Sequence, residues 1–161
     1  GLKVIGTVGS QEKIEIAKKY GCDEVINYSK EDFAKKVMEL TDGKGVSVVY
    51  DGVGKSTYDK SIECLKLRGT MVSFGNASGA LDPINVSKSL QPKGIYFVRP
   101  AMNQYFTNSE EIHEAANMLF KQISSGNVKI EIYKKYKLED AVQAHKDLEG
   151  RKITGPAVII P

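Results

Sequence analysis

Apolar positions along this chain follow two alternating rhythms. Short runs rich in β-branched residues are separated by segments in which apolar residues recur at spacings of three and four. Leu2 to Val8 is the first such run and predicts a strand. Gln11 to Tyr20 follows as a helix offering Ile14, Ile16 and Ala17 to a core, with Ser10 as its N-cap, Lys13 at its third helical position and Gly21 closing it. Asp23 to Tyr28 predicts a second strand. Ser29 then caps a helix running to about Leu40, paired with Asp32 in a capping-box-like arrangement, with Phe33, Val37 and Leu40 on one face. After the turn cluster Thr41 to Gly45, Val46 to Tyr50 is nearly continuously apolar, as in a strand buried on both faces. A helix through Leu65, a buried strand from Gly69 to Phe74 and a strand from Gly94 to Val98 continue the alternation. Beyond Arg99–Pro100 the rhythm changes. A loop from Ala101 to Asn108 leads to a helix from Ser109 to Ser125, a strand at Lys129 to Ile132, a helix at Leu138 to Leu148 and a closing strand at Ala157 to Ile160. Strands alternating with helices predict an α/β fold built on a doubly wound parallel sheet.

The end of the first strand carries the sharpest chemistry. Gly9-Ser10-Gln11-Glu12-Lys13 follows the apolar run with no acid at the strand end itself. Read as the second strand of a dinucleotide-binding unit, this is where an NAD site places an Asp or Glu on the ribose 2′-hydroxyl. A small hydroxyl residue and a lysine suit a 2′-phosphate instead, and so NADP. The glycine-rich phosphate turn of such a unit lies about 20 residues upstream, before Gly1. The chain therefore reads as part of a larger enzyme. In the strand order 3-2-1-4-5-6 the missing first strand is central, so the strands present must close a gap or borrow a neighbour.

Composition narrows the alternatives. The 161 residues suit one domain, or one domain and part of another; 41% are hydrophobic and 27% charged, ordinary values for a folded soluble protein. A net charge of +3, spread over isolated lysine pairs, argues against strong affinity for nucleic acid. No apolar run approaches the ~18 residues of a membrane span. Cys22 and Cys64 sit in apolar runs without a CxxC or Cys/His cluster, as expected for buried, reduced thiols in the cytoplasm and not for a metal site.

Several runs taken in order are more specific than any one of them. Ile5-Gly6-Thr7-Val8-Gly9-Ser10, Val25-Ile26-Asn27-Tyr28, Val48-Val49-Tyr50-Asp51-Gly52-Val53-Gly54, Arg68 to Gly79 with its Phe74-Gly75-Asn76-Ala77-Ser78-Gly79 core, and the closing Gly155-Pro156-Ala157-Val158-Ile159-Ile160-Pro161 together resemble NADPH:quinone oxidoreductases of the zeta-crystallin type. These are zinc-free members of the medium-chain dehydrogenase/reductase superfamily. The resemblance spans the whole chain. It implies that residues 1–100 are most of a Rossmann-like NADP-binding domain and that residues 101–161 return to a catalytic domain. The N-terminal catalytic half and the glycine-rich loop would lie outside the chain.

The resemblance also assigns candidate cofactor contacts. Gly9, Ser10 and Lys13 would meet the 2′-phosphate, with Tyr28 against the adenine or the same phosphate and Arg151 reaching toward it. Gly52, Val53, Phe74, Gly75, Asn76 and Ser78 lie in loops after buried strands, at the sheet edge where α/β ligands bind. Phe97, Val98 and Arg99 resemble the segment flanking the nicotinamide. Each has a plainer reading: Lys13 and Arg151 as solvated basic residues, Tyr28 as a rim tyrosine, Phe97 and Val98 as core, the glycine loops as turns. His113 and His145 stand apart from any acid–nucleophile set, and Asp51 reads as a loop cap. No catalytic side chain is assigned, because hydride transfer needs chiefly positioning. The implied activity is reduction of a quinone by NADPH in the full-length protein, with this chain alone expected to be inactive. Reduction of an enone or enoyl thioester, or a non-catalytic nucleotide-binding module, are the alternatives. A homodimer through the edge strand near Gly94–Val98 is also implied.

Overall fold

A computed structural model describes residues 1–150 and 152–161. The chain divides into two compact units, Gly1–Thr107 and Asn108–Pro161.

The first unit runs β1 (Ile5–Val8), α1 (Glu12–Lys19), β2 (Glu24–Asn27), α2 (Phe33–Leu40), β3 (Val46–Asp51), α3 (Tyr58–Cys64), β4 (Leu65–Ser73), α4 (Val86–Ser89), β5 (Tyr96–Val98) and α5 (Met102–Tyr105). All its strand pairs are parallel, as the βαβ rhythm predicts. They form two sheets, one of β1 and β2, the other of β3, β4 and β5 in that order. β1 and β3 are not hydrogen-bonded to each other, so the strands do not close the gap expected between them.

Handedness fixes where that gap lies. Ile5 of β1 and Ile26 of β2 pack on the α2 side with Phe33, Ala34 and Val37. Gly6, on the opposite face of β1, looks toward Cys22 just after α1. α1 and α2 thus cover opposite faces. Right-handed crossovers through helices on opposite faces carry the chain in opposite directions, which puts β2 and β3 on opposite sides of β1. The unpaired edges of β1 and β3 therefore face one another. A shared helical layer bridges them: Val46 and Val49 of β3 join the cluster around Ile26 and Phe33, and also the cluster of Ile62, Leu65, Met71 and Ile95.

β3 departs from its expected burial on both faces. Val49 and Asp51 face α2 and α3, whereas Val48 is 40% exposed and Tyr50 74%. Val48 shares its face with Thr70 and Tyr96, and Tyr50 with Val72 and Val98. That face is open to solvent at Val48, Tyr50 and Tyr96, whereas the opposite face packs on α2 and α3.

The caps differ in detail from the sequence reading. α1 is preceded by Gln11, which makes no side-chain cap, so Ser10 is not a cap. Asp32, not Ser29, is the N-cap of α2, and its carboxylate accepts from the Ala34 and Lys35 amides. Asp32 receives these bonds because its backbone is extended where the helix begins (φ −74°, ψ 107°). β4 begins earlier than predicted, at Leu65, with a register shift against β3 between Val46 and Val48. β5 is shorter than predicted.

The second unit comprises α6 (Ser109–Ser124), β6 (Lys134–Lys137), α7 (Ala141–Glu149) and β7 (Ala157–Ile160), with β6 and β7 parallel. The strand expected at Lys129–Ile132 forms instead at Lys134–Lys137. There Tyr136 is buried and donates its hydroxyl to Asp147 of α7 (2.8 Å). Of the thiols, Cys64 is buried and Cys22 half-buried; both are free. Burial pushes the Cys64 thiol up to about 11. No helix among the described residues is long and apolar enough to cross a membrane.

Candidate dinucleotide site at the strand ends

In a parallel sheet every strand delivers its carboxyl end to the same edge, and the loops there form two groups. The first follows β1 and β2. Gly9 lies so close to Tyr28 that a Cβ on Gly9 would stand 2.6 Å from the Tyr28 hydroxyl oxygen. The Ser29 hydroxyl donates to the Gly9 carbonyl (2.8 Å), and Lys30 Nζ donates to the Gln11 side chain (3.2 Å). These bonds fix the β1 and β2 loops side by side, with the Tyr28 ring over the Gly9 backbone. Lys13, half-buried on the first turn of α1, donates its backbone amide to the Ser10 carbonyl (3.3 Å). The Ser10 hydroxyl, the Lys13 ammonium and the Tyr28 hydroxyl have no hydrogen-bond or ion-pair partner among the described residues. One free cation and two free hydroxyls border a backbone cradle that lacks a Cβ. The set suits an anion such as a phosphate monoester. Arg151, the remaining candidate for this corner, lies outside the described residues.

The second group follows β3, β4 and β5, and it is tightly knit. Asp51, only 5% exposed, accepts from the amides of Val53 (2.8 Å) and Gly54 (2.9 Å), from Thr57 Oγ1 (2.8 Å) and from Ser61 Oγ (2.9 Å). Gly54 turns at φ +89°, a conformation that favours glycine. The two loops then bond to each other. The Phe74 amide donates to the Asp51 carbonyl (2.9 Å), Ala77 to Gly52 (3.2 Å) and Ser78 to Val53 (2.7 Å). The Ser78 hydroxyl adds a bond to the Val53 carbonyl (2.8 Å) and accepts from the Ser56 amide (3.0 Å). Gly75 packs directly on the backbone of Gly52, with no space for a Cβ, and the exposed Phe74 ring lies against Gly52. From the third loop, the Arg99 guanidinium donates to the carbonyls of Ser73 (2.9 Å) and Gly75 (3.1 Å) and to Ser73 Oγ (3.2 Å).

The candidates thus fall into three roles. Gly9, Ser10, Lys13 and Tyr28 meet at one corner. Gly52, Val53, Phe74, Gly75, Asn76 and Ser78 form a joined pair of loops, in which the Asn76 side chain has no partner among the described residues. Phe97 and Val98 stand in β5, where Phe97 packs edge-on against Tyr58 (centroids 6.3 Å apart) and Val98 pairs with Val72. Arg99 spends its guanidinium on the neighbouring loop. Ser29, Thr57 and Ser61 were not among the sequence candidates. Their signal is only a hydroxyl placed after a strand or opposite Asp51, which a linear reading cannot separate from other serines and threonines. His113 and His145 sit on α6 and α7, away from both loop groups in sequence.

A family model described as zinc-binding dehydrogenase matches residues 1–121. Quinone oxidoreductase 1 of Escherichia coli is 45% identical over the whole chain, as is a 2-haloacrylate reductase of a Burkholderia species. The crystal structure of Escherichia coli quinone oxidoreductase complexed with NADPH superposes with a TM-score of 0.93 at 45% identity, over 99% of this chain and 49% of that one. The chain spans about half the length of the curated relatives it matches. The zinc of the family's description does not fit the residues present: among those described, no group of three or more His, Cys, Asp or Glu could hold a metal ion. The parallel strands, the loops at their carboxyl edge and the match over three quarters of the chain agree, and the chain belongs to the zinc-binding dehydrogenase family.

Proposed function

We propose that this chain supplies the NADPH-binding part of a quinone oxidoreductase, in which NADPH provides the hydride and the protein orients it toward a quinone. The observation that carries the reading is the corner of Ser10, Lys13 and Tyr28 beside Gly9. Lys13 would pair with the 2′-phosphate, Ser10 and Tyr28 would donate hydroxyl hydrogen bonds to it, and Gly9 would let the ribose approach the backbone. Glu12, the acid nearest the strand end, is exposed at the start of α1. The loops of Gly52, Val53, Phe74, Gly75, Asn76 and Ser78 would line the nicotinamide half, with the backbone near Phe97, Val98 and Arg99 at its far side. The likeness to the NADPH complex supports the cofactor, and the quinone oxidoreductase relatives support the acceptor. A pair of free thiols suits a cytoplasmic protein, and the exposed edge of β5 suits pairing with a second copy.

The test displaces bound NADPH from the chain with 2′,5′-ADP and, separately, with 5′-ADP, following NADPH fluorescence. Displacement by the 2′-phosphorylated compound at much lower concentration is the expected result. Equal potency of the two would remove the 2′-phosphate site.

A second acceptor reading has its own support in the 45% identical 2-haloacrylate reductase. Consumption of NADPH by a benzoquinone and by 2-chloroacrylate, compared in the protein that carries this chain, separates the two. The quinone reading expects faster consumption with the quinone; turnover of the haloacrylate alone would replace it.

A further inference from the structure

We propose that Asp51 is a positioning residue that holds the loops after β3 and β4 in one preformed bed for the nicotinamide half of the dinucleotide, with Arg99 pinning that bed from the third loop. The proposal rests on the NADPH reading above and deepens it.

A turn of this kind needs only a short side chain that accepts a hydrogen bond, and Asn or Ser normally suffices. Here the position holds a carboxylate almost wholly out of water, and burying that group is costly unless its oxygens are fully used. They are: the Val53 and Gly54 amides, Thr57 Oγ1 and Ser61 Oγ all point at it. All four donors are neutral, and no lysine or arginine pairs with Asp51 among the described residues. An ionised carboxylate is the acceptor-only group that can take all four at once, whereas an amide would turn its NH2 toward one of these donors.

The consequence reaches past the turn. Drawing in the Val53 and Gly54 amides orients the Gly52 and Val53 carbonyls toward Ala77 and Ser78, which zips the β4 loop to the β3 loop. Gly75 can then rest on Gly52. Arg99 donates to carbonyls on both sides of Phe74, so the same loop is held from the β5 side. A bed fixed before the ligand arrives spares the ordering cost of binding, so the carboxylate acts on affinity although it touches no ligand.

The experiment compares the parent chain with Asp51→Asn, Thr57→Val and the core control Val37→Ala. Amide exchange at Val53, Gly54 and Ser78 is followed by NMR, NADPH affinity by calorimetry and stability by thermal midpoint. Asp51→Asn is expected to speed exchange at all three amides and to weaken NADPH binding about tenfold or more. Thr57→Val, which removes a single donor, is expected to fall between it and the parent, so the claim stays open to test if Asp51→Asn does not fold. Val37→Ala lowers the midpoint but should leave affinity within about twofold, since Val37 packs in the cluster under α2 and its side chain bonds to neither loop. Parent-like affinity in Asp51→Asn, or equal weakening in Val37→Ala, would overturn the proposal. If the parent chain alone binds no NADPH, affinity is compared in the protein that carries this chain, and exchange decides the loop claim: unchanged exchange in Asp51→Asn refutes it, faster exchange supports it.

Discussion

Gly9 and Gly75 both lie where a Cβ has no space, yet they should answer substitution differently. A methyl at position 75 would drive into the Gly52 backbone, 2.8 Å from its carbonyl carbon, and backbone cannot step aside without breaking the loop pairing. A methyl at position 9 would meet the tip of the Tyr28 side chain, which can swing away. Gly75→Ala is therefore expected to cost about 1–3 kcal/mol in chemical denaturation, as overpacking does. Gly9→Ala should cost much less but displace Tyr28, seen as a change in its fluorescence. Equal losses from the two would show that the loops after β3 and β4 are not locked as described. Sequence alone marked both glycines as turn or approach positions. It could not rank them, because the rank depends on whether backbone or a side-chain tip lies opposite.

Caps and clamps decide how the elements hold together. Asp32 shows how a local signal can be read one turn early. Ser29 and Asp32 are both good capping residues three apart, and only the backbone conformation selects between them. The clamp between β6 and α7 was not legible at all, because Tyr136 and Asp147 lie eleven residues apart on a strand and a helix that no local spacing joins. Hydrogen bonds from the Tyr136 hydroxyl and the Gln143 amide, with Lys134 alongside, hold the Asp147 carboxyl down at about 2, against a usual 3.8. A carboxyl whose folded value is depressed contributes stability above its unfolded value and loses it as pH falls through the folded one. The second unit should therefore hold a constant contribution from this clamp above about pH 4 and lose it between about pH 4 and 2. Tyr136 ring resonances followed through an acid titration check this. Asp147→Asn should lack that step, and an unchanged step in the variant would mean that other carboxyls carry it.

At the scale of the whole molecule, the βαβ rhythm, the parallel pairing and the position of the Gly9, Gly52 and Gly75 loops after strands were all legible in the sequence. Each follows from local periodicity and from where glycines interrupt it. The exposed face of β3 was not legible, since Val48 and Tyr50 read as core in any run of this kind. Their exposure depends on what packs above the sheet, which no window of residues reports. The split between the β1–β2 and β3–β4–β5 sheets makes a further prediction. β4, paired on both sides, should show the slowest amide exchange in the first unit, while β1 and β3, each with a free edge, should exchange faster. Protection of β1 and β3 equal to that of β4 would mean that the two sheets close on each other in solution.

The central claim is that the corner beside Gly9 reads a 2′-phosphate. Calorimetric titration of the chain with NADPH and with NADH, repeated on Lys13→Ala, tests it most directly. The account predicts saturable binding that favours NADPH, with the preference falling about tenfold or more in the variant while NADH binding stays unchanged. Equal affinity for the two cofactors, or a preference that survives the loss of Lys13, would contradict it.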